Sequence, residues 1–215
     1  MKKIKSSSKY IKNVIAFDWW KYLLLFLATS ILIYYAFYSK LSLKRYEQLQ
    51  IFTTAEIIDE KIRDELEKEL EDEGTLVVSF YNSDKNSKYY DIQLDTNGFV
   101  NSDILLLPAS KVIDNENIIQ NSQSINNELK NEILSVNSSI EFLTFEDITY
   151  ALKVYDIDDS SYNTGLHFTD WAKFDETYYV LFSKKSPNLG KYGDKSKEEN
   201  HSAIEAVKYL VSERV

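Results

Sequence analysis

Seventeen consecutive residues without a charge, "YLLLFLATSILIYYAFY" from Tyr22 to Tyr38, constrain this chain more than any other feature. As a helix rising ~1.5 Å per residue they span ~26 Å, close to the shortest length that crosses the hydrocarbon of a bilayer. Trp19 and Trp20 precede the run and Tyr34, Tyr35 and Tyr38 close it, where interfacial aromatic belts lie. The segment therefore reads as a transmembrane helix, with a buried core helix or a cleaved signal peptide as the alternatives. Cleavage needs small residues in an A-x-A-like site, whereas "YYAFYSK" is bulky at nearly every position, so the helix is expected to stay attached. Cysteine is absent, which excludes disulfides, thiolate metal sites, a cysteine nucleophile and the acylated cysteine of a lipoprotein.

Charge orients the helix. Residues 1–45 carry nine basic residues against Asp18 alone, a charge of +8, which leaves −17 for the rest of a chain whose net charge is −9. Six lysines precede the apolar run while Lys40, Lys44 and Arg45 follow it, and the longer basic flank stays in the cytoplasm. The expected layout is a cytoplasmic basic segment at 1–21, a transmembrane helix at 22–38, a juxtamembrane linker at 39–47 and an extracytoplasmic domain at 48–215. A body that acidic repels phosphate backbones, so nucleic acid is not an expected partner.

The outer part alternates strand and helix signals. "LQIFTTA" from Leu49 to Ala55 has strand composition, and Ile58, Ile62, Leu66 and Leu70 then repeat every four residues, predicting a helix from about Ile57 to Leu70 that ends at Gly74. A helix continuous with the membrane span is the alternative. The acidic run Glu67 to Glu73 reads as a solvated face. "TLVVSFY" from Thr75 to Tyr81 and "DILLLP" from Asp103 to Pro108 read as strands, the second apolar on both faces, as in a mainly parallel sheet covered on both sides. Ile125, Leu129 and Ile133 mark another amphipathic helix. "ITYALKVYDI" and "ETYYVLFSKK" read as two further strands, and Ile204, Val207, Leu210 and Val211 share one side of a final helix. The fold class is α/β.

In that order the segments "IFTTAEIIDEKIRDELEKELE", "TLVVSFY", "DILLLPAS", "YYVLFSKKSPNLG" and "AIEAVKYLV" resemble the extracellular, or periplasmic, solute-binding-protein-like fold of bacterial transport systems. They cover residues 48–211 in scattered pieces. The resemblance implies a reduced, membrane-anchored form, because family members clamp solute between two lobes. Here only about 20 residues separate "YALKVYD" from "YYVLFSK", too few for a second lobe.

In an open parallel sheet ligands sit beyond the carboxyl ends of the strands. Thr53 and Thr54, Asn82 and Ser83, and Ala109 and Ser110 follow three such ends, and Thr54, Ser83 and Ser110 are the candidate ligand-binding residues. Each also reads as an ordinary loop or cap residue. "DIDDSSYNTG" groups Asp156, Asp158 and Asp159 as an oxygen-ligand calcium loop would, but lacks the glycine and the final glutamate such loops need, so no metal is expected. His167 and His201 are the only histidines, and no nucleophile elbow, phosphate loop or dinucleotide fingerprint accompanies them. Neither catalysis nor a cofactor is expected. The sequence reading is a single-pass, membrane-anchored, extracytoplasmic binding or sensing module, accessory to an ABC-type transporter. Its expected partners are the bilayer through 22–38, a membrane protein and a small solute. The alternative is a structural or assembly protein of a membrane complex without a small-molecule site.

Overall fold

The computed structural model describes residues 19–35, 43–163 and 166–212, in two compact units that divide at Leu43 and Lys44. Residues 19–35 of the first unit are helical (α1), and side chains along it, such as Leu25, Phe26 and Leu32, are exposed. Residues 36–38 of the expected span, most of the basic segment 1–21 and residues 39–42 of the linker lie outside the described residues. Among the described residues no helix is long and apolar enough to cross a membrane.

The second unit opens with β1 (Gln48–Thr53), a short β2 (Glu56–Ile57), α2 (Lys61–Glu69) and β3 (Val77–Asn82). Next come α3 (Tyr90–Gln93), which runs into a π-helical turn at Leu94–Phe99, then β4 (Ile104–Pro108) and the helices α4 (Ala109–Val112), α5 (Glu116–Asn121) and α6 (Asn127–Val136). The hairpin β5 (Phe142–Phe145) and β6 (Ile148–Tyr155) follows, then α7 (Ser160–Asn163), α8 (Phe168–Trp171), β7 (Ala172–Lys173), β8 (Tyr178–Phe182) and α9 (Ser202–Val211). Six strands form one sheet in the order β3-β1-β4-β8-β6-β5. β1 pairs in parallel with β3 and β4, whereas β8 is antiparallel to β4 and β6, and β5 antiparallel to β6. Four strands (β3, β1, β4, β6) thus point one way and two (β8, β5) the other, which makes the α/β fold mixed but mainly parallel.

The apolar run of β4 shows why the sheet is covered twice. All five of its residues are buried. Alternate side chains of a strand point to opposite faces, and Ile104 and Leu106 enter a core with α2, α6 and α9 while Leu105 and Leu107 enter another with Tyr90, Leu94, Phe99 and Ile118.

The helix after β1 forms later than its spacing predicts. Glu56 and Ile57 pair with Lys173 and Ala172 in a two-stranded ribbon, and the Ile58 amide donates to the Trp171 carbonyl at 2.8 Å. Ile58 therefore sits before α2 and is 56% exposed, whereas Ile62, Leu66 and Leu70 are buried. A 3-10 turn at Glu71–Glu73 follows, and Gly74, at φ 77°, ends the segment in a conformation that costs a residue with a Cβ. Two members of the acidic run are not free in solvent: Glu73 lies 2.9 Å from His201 Nε2, and Glu67 is engaged by the sheet. The Glu67 carboxylate accepts the Val78 amide at 2.8 Å, engaging a backbone donor of the edge strand β3.

Candidate functional site at the strand ends

Register brings the expected residues to one rim. Thr53 at the end of β1 lies opposite Asn82, the last residue of β3, and opposite Leu106 on β4, which runs two residues further to Pro108. β8 runs the other way, and Tyr178 at its start lies opposite Pro108. The loop Asp175–Thr177 therefore reaches the rim that Thr54, Ser83 and Ser110 occupy.

None of those three points a free group outward. The Thr54 hydroxyl donates to the Tyr178 phenol oxygen at 3.4 Å, and Tyr178 donates to Asp175 at 3.3 Å. Ser83 is buried and donates to Gln93 at 2.6 Å. The Ser110 amide and hydroxyl both donate to the Glu176 carboxylate at 3.0 Å. The ammonium of Lys85 completes the set, 2.7 Å from Asp175 and 2.6 Å from Glu176. Segment 175–178 thus staples the loops that leave β1, β3 and β4.

The electrostatics keep the staple charged. Burial disfavours the Lys85 ammonium, but its hydrogen bonds to Asp175 and Glu176 outweigh that and hold it above the ordinary lysine range. The Lys85 hydrogen bond holds Asp175 below the usual carboxylate range. Burial pushes Glu176 up, yet the hydrogen bonds from Lys85 and Ser110 win and hold it down. Burial raises the Tyr178 phenol. Near neutral pH Lys85 therefore stays protonated and Asp175 and Glu176 stay ionised, which keeps the ion pairs of the staple charged. Tyr90, behind the rim, is 3% exposed; its hydroxyl has no hydrogen-bond partner among the described residues, and the Lys111 ammonium lies 4.8 Å from its ring centre.

Lys85, Asp175, Glu176 and Tyr178 were not legible as a site. Lys85 lies in "NSDKNSK", which reads as plain loop, and its partners are 90 and 91 residues away in a strand-flanking turn. Only the antiparallel insertion of β8 beside β4 brings them together, and no local spacing encodes it.

The acidic turn at Asp156 uses its carboxylates locally. Asp156 accepts the Asp158 amide and pairs with Lys153 at 2.9 Å, and Asp159 accepts the Ser161 and Tyr162 amides at the start of α7. Among the described residues no group of three or more His, Cys, Asp or Glu could hold a metal ion.

The opposite end of the sheet is built differently. Asp103, just before β4, has a fully buried carboxylate that accepts from Arg45 and the Gln50 amide at 2.9 Å and from Ser186 at 2.6 Å. Burial raises its pKa although Arg45, Gln50 and Ser186 all act against that. Around it Ser183 donates to the Phe99 carbonyl and Asn188 to the Gln48 carbonyl.

The chain matches no family model, no curated protein and no solved structure, so its function has to be argued from its own residues.

Proposed function

We propose that the chain is a single-pass, membrane-anchored module whose acidic α/β unit works outside the cytoplasm by docking onto a neighbouring membrane protein, as an accessory of an ABC-type transporter. The observation that carries this reading is the closed rim. Thr54 and Ser110 are tied to segment 175–178 and Ser83 to Gln93, so a solute has to displace internal partners before it gains contacts. Of the three only Ser83 is buried, and leaving it unpaired costs about 1–3 kcal/mol. Rim solutes are accordingly weak, with dissociation constants of about 0.1 mM or worse. Anchoring is supported by the apolar side chains exposed along α1, since a helix apolar on every side needs a non-aqueous surround.

The solute-binding-like reading draws support from element order: the five segments that carry the resemblance form β1 to α2, β3, β4, β8 and α9. The same closed rim also favours the second reading, an assembly protein with no small-molecule site. Two experiments test the proposal. Protease added to intact cells should remove a C-terminal tag, and a tag protected until the membrane is opened reverses the topology. Affinity purification of the full-length protein from detergent-solubilised membranes should recover a transporter subunit in constant ratio, and recovery of the protein alone rejects the docking role.

A further inference from the structure

A cleft of about 590 Å³ lies away from the rim, where β8 ends and β6 begins. Ile119 and Ile148 supply apolar walls, and Ser122, Gln123, Lys184 and Asp194 supply the polar ones. Backbone bonds hold its frame: the Gln123 amide donates to the Phe182 carbonyl at 2.8 Å and the Lys184 amide to the Asn121 carbonyl at 3.0 Å. Ser122 and Ser183 form an isolated antiparallel bridge.

Two kinds of unmet chemistry meet there. The Ser122 hydroxyl and the Gln123 side-chain carbonyl are buried and have no hydrogen-bond partner among the described residues. Buried polar groups are paired in most native structures, and each exception calls for an explanation. Lys184 and Asp194 line the same cleft, yet neither makes an ion pair with the other or with any other described residue. Lys85, Lys153, Lys191 and Lys208, by contrast, each hold a carboxylate within 2.9 Å. A cleft with one unpaired cation, one unpaired anion, an amide acceptor, a hydroxyl and two isoleucines complements a small zwitterion that carries an apolar group.

We infer that this cleft binds a small zwitterionic solute of the α-amino-acid type, its carboxylate on Lys184, its ammonium between Asp194 and Gln123, and its apolar part between Ile119 and Ile148. The inference does not rest on the docking role, because the cleft lies at the amino-terminal end of β6, away from the stapled loops. Charge-assisted hydrogen bonds give such a site its selectivity, since an analogue lacking one charge leaves a protein charge unmatched. An open cleft on one domain does not enclose its ligand, so affinity is modest, with a dissociation constant of about 1 mM.

Full-length protein in detergent, labelled at isoleucine methyl groups, is titrated with leucine, leucinamide and N-acetylleucine. Leucine is expected to shift the Ile119 and Ile148 methyl signals saturably, while Ile104 in the sheet stays still. Leucinamide lacks the carboxylate and N-acetylleucine the ammonium, so each should bind at least about tenfold more weakly. Lys184→Gln should abolish the preference over leucinamide, and Asp194→Asn the preference over N-acetylleucine. Both positions are at the surface, and unchanged methyl signals of the core verify that the variants are folded. No saturable shift, equal binding of the three ligands, or shifts that survive both substitutions would overturn the site. Loss of the transporter partner with leucine binding intact would reject the docking role and leave the site standing.

Discussion

The two ends of one strand, β4, are held by opposite means. At its start Asp103 is sealed from water and its carboxylate is satisfied by three neighbours, Arg45, Gln50 and Ser186, whereas beyond its end Ser110 joins a staple of charged side chains that still meet solvent. A buried charge that loses its partner is strongly destabilising, so the first end tolerates no loss of either member of the Arg45–Asp103 pair. Exposed ion pairs contribute little and exchange readily, so the second end can be remodelled without unfolding. A partner that binds at the rim therefore works against a weak lock on a firm base.

The sharpest way to break this contrast is to remove Arg45. Its loss leaves Asp103 as an unpaired buried charge, and unfolding by denaturant should show a cost of roughly 3 kcal/mol, the low end for buried pairs because Arg45 is 37% exposed. A cost near zero would mean that the base is no firmer than the rim. Leu66→Ala supplies an apolar yardstick beside it, with an expected loss of about 2–5 kcal/mol for a side chain at 0% exposure. Glu67→Ala, next door, should cost about 1 kcal/mol through the Val78 amide it accepts. A helix standing in solvent as a continuation of the membrane span would instead make Leu66 and Glu67 equally unimportant.

At the rim, Lys85→Met should lower stability by about 1 kcal/mol or less, and wild-type protein should lose that difference in high salt. The same variant sharpens the functional question. If the staple closes the rim, Lys85→Met should speed hydrogen exchange at the Ser110 amide while the Gln50 amide stays protected. Uniform exchange at both ends would abolish the comparison.

How far the sequence led differs along the same lines. The strands of continuous apolar composition and α9 stood out, because burial on two faces and a one-sided helix leave patterns every few residues. Ile58 fits the helical spacing but is diverted by Glu56 and Ile57, whose partners Lys173 and Ala172 lie more than a hundred residues away. Thr54, Ser83 and Ser110 were placed at a common rim by a rule about parallel strands. Their partners were not, since the antiparallel β8 delivers Glu176 and Tyr178 from another part of the chain. Asp103 was visible only as the polar start of an apolar run, and nothing in its neighbourhood announces Arg45 as its partner.

The subtlest difference between the ends is the sign of their response to acid. Asp175 and Glu176 have folded-state pKa values below those of the unfolded chain, so the unfolded state binds more protons. Their contribution is present above the unfolded values of about 4 and is lost as pH falls through the folded ones. Asp103 is raised, so its folded state takes up the proton first. What it contributes is complete below the unfolded value of about 4 and is lost as pH rises through its folded one. Lys85→Met removes the hydrogen bond that depresses Asp175, which should flatten the loss of stability below about pH 4. Arg45→Ala removes one of the groups that oppose the rise at Asp103, so this variant should regain stability relative to wild type as pH falls from 7 toward 4. Relative to wild type both variants should therefore recover as pH falls, Arg45→Ala between pH 7 and about 4 and Lys85→Met only below about pH 4. Denaturant midpoints measured from pH 7 to about 3 separate the two windows, and curves parallel to wild type throughout would show that neither end titrates as its contacts require.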